Sequence, residues 1–148
     1  MSRIRRILHP TDFSRASSAA FKRAVEMAKG NRAELVLLHV QGPAVPIMAN
    51  GYVSPKVYED MEAAERAYSQ KHLDALIAKA RKAGVRVKGL LMPGVAHERI
   101  AQAARSRKAD LVVIGTHGRT GVAKLFLGSV ASRVLAIAPC PVLTVRGK

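Results

Sequence analysis

The chain contains few cysteines and few aromatic residues, and both shortages exclude classes of protein. Its 148 residues include one cysteine, no tryptophan, three phenylalanines and three tyrosines. A single cysteine, Cys140, cannot form an internal disulfide framework, which agrees with a reducing compartment. Scarce aromatic rings disfavour a channel for single-stranded nucleic acid, because such channels rely on base stacking. Nucleic acid is therefore a minor hypothesis for the partner.

Long apolar runs are also absent from the sequence. None approaches the ~20 residues of a transmembrane helix, and the basic start over residues 1–6 precedes an apolar stretch too short for a signal peptide. We therefore expect a cytoplasmic protein without a membrane span. The length suits one domain over residues 1–148.

Acidic residues are outnumbered by basic ones, 10 against 25, and the formal net charge is +15. From Arg99 onward nine basic residues accompany one acid, Asp110, so we expect this part of the chain to carry the positive field. Such a field attracts nucleoside phosphates, nucleic acid or an anionic membrane surface, and composition does not choose among them. A solvated surface without a dedicated partner is the alternative interpretation.

Apolar runs alternate with stretches of helical periodicity along the chain. Strands are predicted over 4–8, 35–40, 85–92, 111–115 and 142–145. Helices are predicted from the Ser14 cap to Gly30, from Val57 to Gly84, over 96–104 and from Ser129 to 138. This order predicts a single-domain, doubly wound α/β sandwich with a five-stranded, mainly parallel sheet flanked by four helices. Residues 41–55 carry three prolines and no charge, and they predict a long loop.

A glycine pattern follows directly after the predicted fourth strand. Gly115, Gly118, Gly128 and Ser129 form a Gly-x-x-Gly-x9-Gly-Ser pattern. Glycines let the main chain approach an anion closely, and Ser129 would cap a helix whose positive end favours the same charge. The pattern predicts a phosphate pocket and hence nucleotide binding. If the first and fourth strands are neighbours where the strand order reverses, Asp12 faces the same crevice.

Each of these residues also has a purely structural interpretation. Asp12 often organises turns, glycines serve tight turns, and Ser129 is equally explained as a helix cap. Arg119 and Lys124 lie inside the predicted loop, where they either pair with phosphates or stay solvated. His117 either contacts a phosphate or carries a proton, or it is solvated or satisfied by the backbone, and we do not expect it to be catalytic.

Several segments, taken together and in order, resemble the universal stress protein family. They are Pro-Thr-Asp-Phe-Ser at 10–14, Leu-His-Val at 38–40, Gly-Thr-His-Gly at 115–118, Gly-Ser-Val at 128–130 and Cys-Pro-Val at 140–142. The resemblance covers essentially the whole chain. It implies an adenine-nucleotide alpha-hydrolase-like fold and, because all four motif residues are present, the ATP-binding branch. It also implies a homodimer formed through the last strand, from Val142 to Arg146.

The resemblance further implies roles for individual residues. Thr11 and Asp12 match positions that hold adenosine, Val40 matches the apolar wall beside adenine, and Ile114 and Gly115 match the strand end beneath the ribose. The residues that match the phosphate cradle are Gly118, Arg119, Gly128, Ser129 and Val130. The complete set of expected nucleotide-binding residues is Pro10, Thr11, Asp12, Val40, Ile114, Gly115, His117, Gly118, Arg119, Gly128, Ser129 and Val130.

The evidence for an enzyme is weaker than the evidence for a binding site. The chain has no Gly-x-x-x-x-Gly-Lys-Ser/Thr loop and no His-x-Gly-His signature, and no base for an attacking water is evident. The five histidines are scattered without metal-ligand spacing, so we expect no dedicated transition-metal site. Magnesium would arrive with ATP, with Asp12 as the only acid near the crevice.

Three hypotheses remain from the sequence. The first is an ATP-binding stress-response regulator, in which nucleotide orders the loop between Gly115 and Ser129 and changes the affinity for a protein partner. The second is an enzyme that hydrolyses ATP slowly or transfers its phosphoryl group. The third is a dimeric interaction protein that uses its basic surface for polyanions or proteins, with an incidental pocket.

Overall fold

Strands and helices alternate throughout the computed structural model, which describes residues 3–42, 54–117 and 127–147. Within these ranges the strands are β1 (Arg6–Pro10), β2 (Glu34–Gln41), β3 (Val87–Pro93), β4 (Leu111–Gly115) and β5 (Val142–Val145). The helices are α1 (Arg15–Asn31), α2 (Pro55–Lys82), α3 (Ala96–Ser106) and α4 (Ser129–Ile137). The predicted alternation of five strands with four helices is confirmed.

The strands form one sheet in the order β3-β2-β1-β4-β5, and every neighbouring pair is parallel. β2 and β3 lie on one side of β1, and β4 and β5, which follow later in the chain, lie on the other side. The strand order therefore reverses between β1 and β4, as a doubly wound sheet requires.

Helices cover both faces of this sheet and enclose two apolar cores. On one face α1 and α2 pack against β1, β2 and β4, with Phe21 and Leu73 among the buried side chains. On the other face α3 and α4 contribute Ile100 and Val134 to a second core. Alternate residues of β1 enter different cores, Ile7 the first and Leu8 the second, because successive side chains of a strand point to opposite faces.

The end of α1 differs from its prediction. Gly30 is the predicted stop, but the helix continues to Asn31, and Arg32 takes the left-handed conformation with φ 54°. The closing hydrogen bond runs from the Ala33 amide to the Ala28 carbonyl at 2.8 Å. Ala33 is only 2% exposed. Its burial ahead of β2 fixes where the chain turns, and this outweighs the freedom of glycine at position 30.

Two predicted apolar faces are buried over only part of their length. In α2, Leu73 and Ala80 are buried, whereas Val57, Met61 and Tyr68 near the beginning are exposed. A helix of 28 residues is about 42 Å long, while the eight residues of β2 span about 26 Å, so the helix extends beyond the sheet. In α4, Val134 is buried, but Val130 and Ile137 are exposed.

Other predictions have smaller outcomes. β1 begins and ends two residues later than predicted, because its pairing with β2 runs from Arg6 to Pro10. Cys140 is half-buried against the second core, and burial raises the pKa of its thiol. Most of the loop predicted over 41–55 lies outside the described residues.

No helix in the described part of the chain has both the length and the apolar character needed to cross a membrane.

Candidate functional site

The candidate site lies where β1 and β4 separate at their carboxyl ends. The two strands pair at Ile7 and Leu8, whereas the pairing of β1 with β2 continues to Pro10. Beyond Leu8 the buried His9 side chain connects the two strands, because its Nδ1 donates to the Val113 carbonyl of β4 at 2.8 Å. The crevice that opens above this point is the usual ligand position in a doubly wound sheet.

A cavity of about 310 Å³ occupies this crevice, at the lower end of the range of about 300–1,000 Å³ typical of small-molecule sites. Ten of the predicted binding residues line it: Pro10, Thr11, Asp12, Val40, Ile114, Gly115, His117, Gly128, Ser129 and Val130. Gly118 and Arg119, together with Lys124, lie outside the described residues. Asp12 and the two ends of the glycine pattern therefore lie beside the same cavity, as expected.

Asp12 lies in a tightly bonded turn between β1 and α1. Its Oδ1 accepts hydrogen bonds from the Ser14 amide at 3.0 Å and from Ser17 Oγ at 3.2 Å. Thr11 Oγ1 accepts from the Phe13 amide at 3.1 Å, and Ser14 caps α1 by accepting from the Ser17 amide. Asp12 thus organises the turn and also borders the cavity, and its contact with a ligand stays a prediction.

The same turn contains a strained backbone position that the sequence did not reveal. Phe13 has φ 64°, a conformation that costs a non-glycine residue about 1–3 kcal/mol. Its ring stacks on His39 of β2 with centroids 4.4 Å apart, and it also lies 5.3 Å from the ring of His72 on α2. His39 Nδ1 donates to the Thr11 carbonyl at 2.8 Å. These contacts hold the turn, and hence the Asp12 carboxylate, against the end of β2.

The two described glycines of the pattern lie where backbone segments touch. A Cβ on Gly115 would lie 3.3 Å from the Ala16 carbonyl oxygen, at the beginning of α1. A Cβ on Gly128 would lie 2.7 Å from the Thr116 carbonyl oxygen, which already accepts the Gly128 amide at 2.6 Å. Close approach within the protein therefore explains these glycines, in addition to any approach to a ligand.

The beginning of α4 corrects one prediction. Ser129 is predicted to cap this helix, but Gly128 is the N-cap residue, Ser129 is the first helical residue, and no side chain caps the helix. The bond from Gly128 to Thr116 sets the extended conformation before the helix and so moves its beginning back by one residue. The backbone donors of this first turn border the cavity and are not covered by a side-chain cap, an arrangement that favours an anion.

Two histidines near the crevice differ in their surroundings. Burial lowers the pKa of His9 to about 4, against smaller opposing contributions from the Val113 carbonyl and from the Asp12 charge, so the ring is neutral at pH 7. His117 is half-buried, and its Nδ1 lies 2.8 Å from Thr116 Oγ1.

Seven cavity residues were not predicted. They are Ser17, Leu38, His39, Ala96, Ile100, Thr116 and Ala131. Leu38 precedes Val40 by two residues and therefore shares its face of β2. Ala96 and Ile100 lie one turn apart on α3, but only the tertiary packing of α3 against α4 places them beside the glycine pattern.

The cavity has a chemical division. Leu38, Val40 and Ile100 supply apolar surface, while Asp12 is its only acidic lining residue among those described. No group of three histidine, cysteine or acidic residues within the described ranges is placed to hold a metal ion. The described lining offers one carboxylate acceptor, an apolar wall and a helix N-terminus.

Fold and site together define a doubly wound α/β protein with a small-molecule cavity at its topological switch point. The family model described as "Universal stress protein family" matches residues 3–146. The chain therefore belongs to the universal stress protein family. This confirms the resemblance drawn from the sequence.

Individual relatives agree with this assignment. A universal stress protein of Methanocaldococcus jannaschii, MJ0531, is 35% identical over 144 residues, which cover 96% of this chain and 82% of the relative. Universal stress protein YxiE of Bacillus subtilis is 30% identical over 145 residues, which cover 95% of this chain and 98% of the relative.

Solved structures confirm the fold. The hypothetical protein MJ0577 superposes with a TM-score of 0.86 at 25% identity, with 99% of both chains covered. The universal stress protein UspA from Lactobacillus plantarum superposes with a TM-score of 0.85 at 27% identity, with 99% of this chain and 100% of the other covered.

Proposed function

We propose that this chain is an adenine-nucleotide-binding universal stress protein that acts as a cytoplasmic stress-response regulator. The observation that carries the proposal is the cavity between β1 and β4, which joins the Asp12 turn, an apolar wall and the glycine-bordered N-terminus of α4. Nucleotide binding would change the affinity for a protein partner by favouring one conformation over another.

Structures of the same fold give the ligand class further support. Among them are a universal stress protein in complex with cAMP, 24% identical with a TM-score of 0.74, and an Arabidopsis thaliana family protein with AMP bound, 23% identical with a TM-score of 0.70. At these identities they show only that proteins of this fold can bind adenine nucleotides. The support specific to this chain comes from its own cavity residues.

The lining residues divide naturally between the parts of an adenine nucleotide. The adenine ring would lie against Val40 and the neighbouring apolar side chains, and the Asp12 carboxylate would accept from ribose hydroxyls or the adenine amino group. The phosphates would lie at Gly128 and the first turn of α4, where backbone amides and the helix dipole favour negative charge. Gly118 and Arg119 keep their proposed place in the phosphate cradle as sequence predictions.

We propose ATP with Mg²⁺ as the physiological ligand. Magnesium is commonly held by phosphates, waters and one or two carboxylates, and Asp12 is the acidic side chain at this cavity. We propose slow hydrolysis at most, because the sequence shows no evident base for an attacking water.

Calorimetric titration of nucleotide-free protein with Mg-ATP, ADP and AMP tests the proposal. We expect one saturable site per chain, weakened at least about tenfold in Asp12→Ala and Gly128→Val, which remove a carboxylate and crowd the cradle. Glu98→Ala, an exposed acid on α3 outside the cavity, is the matched control and should bind as the native protein does. Absent binding, or equal binding by all variants, would refute nucleotide binding as the function.

A second candidate function is a dimeric interaction protein in which the cavity is incidental. It is favoured by the exposed apolar side chains of α4 beside the edge strand β5, together with the proposed homodimer through Val142 to Arg146. This candidate predicts partner capture that is unaffected by nucleotide, whereas the regulator predicts capture that changes with Mg-ATP.

A further inference from the structure

A group of arginines surrounds a second cavity at the amino ends of β1, β2 and β3. This open depression has a volume of about 400 Å³. Its lining consists of Arg3, Arg5, Arg6, Arg32, Glu34 and Arg86. Three separate chain segments contribute arginines to it, which no periodic pattern in the sequence predicts. We call these five arginines and their cavity the arginine basin.

The backbone beneath the arginine basin is fixed by the sheet. The Glu34 amide donates to the Arg5 carbonyl at 2.9 Å, and the Leu35 amide donates to the Arg86 carbonyl at 2.8 Å. Two guanidinium groups are also held in place, since Arg86 Nη2 donates to the Arg32 carbonyl at 3.1 Å and Arg3 Nη2 donates to the Asn31 carbonyl at 3.4 Å. A guanidinium has five N–H donors, so one such bond leaves most of its donors available.

Among the described residues, no carboxylate forms a side-chain ion pair with these arginines. Glu34, the one acid in the lining, lies 3.7 Å from Lys88. Asp110 accepts the backbone amides of Arg5 and Arg6 at 2.8 and 3.0 Å. Within the described ranges, the only side-chain ion pairs are Arg23 with Glu26 and Lys88 with Glu34. The basin therefore concentrates positive charge at one end of the sheet.

We propose that the arginine basin binds a small anion that carries two or more clustered phosphate groups. Planar guanidinium forks match phosphate oxygens in bidentate pairs, and several forks around one concavity suit several adjacent phosphates better than one. The same chemistry is offered by free condensed phosphate and by the phosphate chain of a nucleotide.

Shape and composition favour this ligand over nucleic acid. The basin is concave, and its lining contains arginine and glutamate but no aromatic ring on which a base could stack. It is also separate from the candidate nucleotide cavity. Arg6 and Pro10 stand at opposite ends of β1, about 13 Å apart at a rise of about 3.3 Å per residue, so the buried strand lies between the two sites.

Calorimetric titration of the full chain with tripolyphosphate tests the proposal, and a variant of the nucleotide cavity separates the two sites. The variant Arg5→Gln/Arg86→Gln should bind about tenfold more weakly or worse than the native protein. The control Arg66→Gln/Lys71→Gln removes the same charge from exposed positions on α2 outside both cavities, and its affinity should stay within about twofold of native. Circular dichroism verifies that both variants are folded.

A third variant separates the two cavities. Gly128→Val crowds the nucleotide cavity and should retain tripolyphosphate binding, because the basin lies at the other end of the sheet. In this variant, ATP binding as tightly as tripolyphosphate would show that the basin accepts a nucleotide's phosphate chain, and weaker ATP binding would assign it to free condensed phosphate. Both results support the basin.

Three results would overturn it. Equal loss in the basin variant and the α2 control would mean diffuse charge without a site. Loss of tripolyphosphate binding in Gly128→Val would place the anion in the nucleotide cavity. Displacement of tripolyphosphate by a duplex oligonucleotide at lower phosphate concentration would make the basin part of a nucleic-acid surface.

Discussion

Gly128 lies where the end of the glycine pattern returns to the end of β4. Its amide donates to the Thr116 carbonyl, and a Cβ at this position would come within 2.7 Å of the same oxygen. That oxygen belongs to the backbone and cannot move aside as a flexible side chain would. One added methyl group must therefore displace the first turn of α4 relative to the cavity.

We predict that Gly128→Ala lowers the affinity for Mg-ATP about tenfold and the free energy of unfolding by about 1–3 kcal/mol. The expected cause is displacement of the α4 amides from the phosphate position. Calorimetry and urea denaturation measure the two effects. Gly42→Ala is the control, because a Cβ there meets no atom within 4 Å; a Gly128→Ala protein with unchanged affinity would contradict the prediction.

His9 is buried beneath the crevice, and burial lowers its pKa from 6.5 to about 4. The unfolded chain therefore binds more protons than the folded protein between these two values. We predict that this histidine's contribution to stability is complete above pH 6.5 and is lost as the pH falls toward 4, with a total of about 3 kcal/mol. Urea denaturation at several pH values measures the change.

The control for this prediction is His9→Gln, which keeps a side-chain N–H donor for the Val113 carbonyl but cannot titrate in this range. Its free energy of unfolding should fall less steeply than that of the native protein between pH 6.5 and pH 4. Parallel curves for the two proteins would show that His9 is not the group responsible.

At the scale of elements, periodicity was sufficient to predict the order of strands and helices but not the positions where helices end. Gly84 follows α2 with φ 90°, as expected for a glycine after a helix. Gly30 matched the same pattern, yet it lies inside α1, because the burial of Ala33 determines the turn. Two glycines that look alike in sequence therefore differ in conformation for a tertiary reason.

This difference gives a paired prediction. Gly30→Ala should raise the free energy of unfolding by about 0.5–1 kcal/mol, because alanine is the better residue in a helix interior and its Cβ meets no atom within 4 Å. Gly84→Ala should lower it by about 1 kcal/mol, because the left-handed conformation disfavours a Cβ. Thermal denaturation of both variants checks the signs, and a stabilising Gly84→Ala would contradict the account.

The candidate site was predictable where it depends on local sequence. The Asp12 turn and the glycine pattern each follow a strand, so their place at the carboxyl edge could be expected. Ile100 of α3 and His39 of β2 reach the cavity only through packing between elements. Isoleucine is common in cores, so the sequence gives no signal that separates Ile100 from a structural residue. His39 belongs to a segment that carries the family resemblance, but that resemblance implied no binding role for it.

At the scale of the whole molecule, the arginine basin lies outside the segment that composition singled out. The nine basic residues from Arg99 onward predict a positive field in that part of the chain, which stays a prediction, and the basin adds a second concentration of charge from Arg3, Arg5, Arg6, Arg32 and Arg86. In a parallel sheet the amino ends of all strands lie at the same end of the sheet, so residues that are far apart in sequence meet there. The protein thus has a candidate nucleotide site at the carboxyl ends of the strands and a candidate phosphate site at their amino ends.

The outer side of the edge strand β5 is a surface through which two copies of the chain could associate. β5 pairs only with β4 among the described strands, which leaves its other edge available for pairing. Leu135 and Ile137 on the adjacent α4 are 46% and 44% exposed. We predict a homodimer through this surface, because two copies would bury these side chains and complete the edge of the sheet.

Light scattering after size exclusion measures the dimer, and Leu135→Glu/Ile137→Glu should raise its dissociation constant at least about tenfold, since two charges would be buried at the interface. Val57→Glu/Met61→Glu, which places the same charges on the exposed apolar beginning of α2, should leave it unchanged. A native protein that is monomeric at micromolar concentration would refute the dimer. The beginning of α2 is the alternative interface, because it exposes the other apolar surface. Dissociation of the α2 variant, with an intact dimer in the α4 variant, would place the interface there.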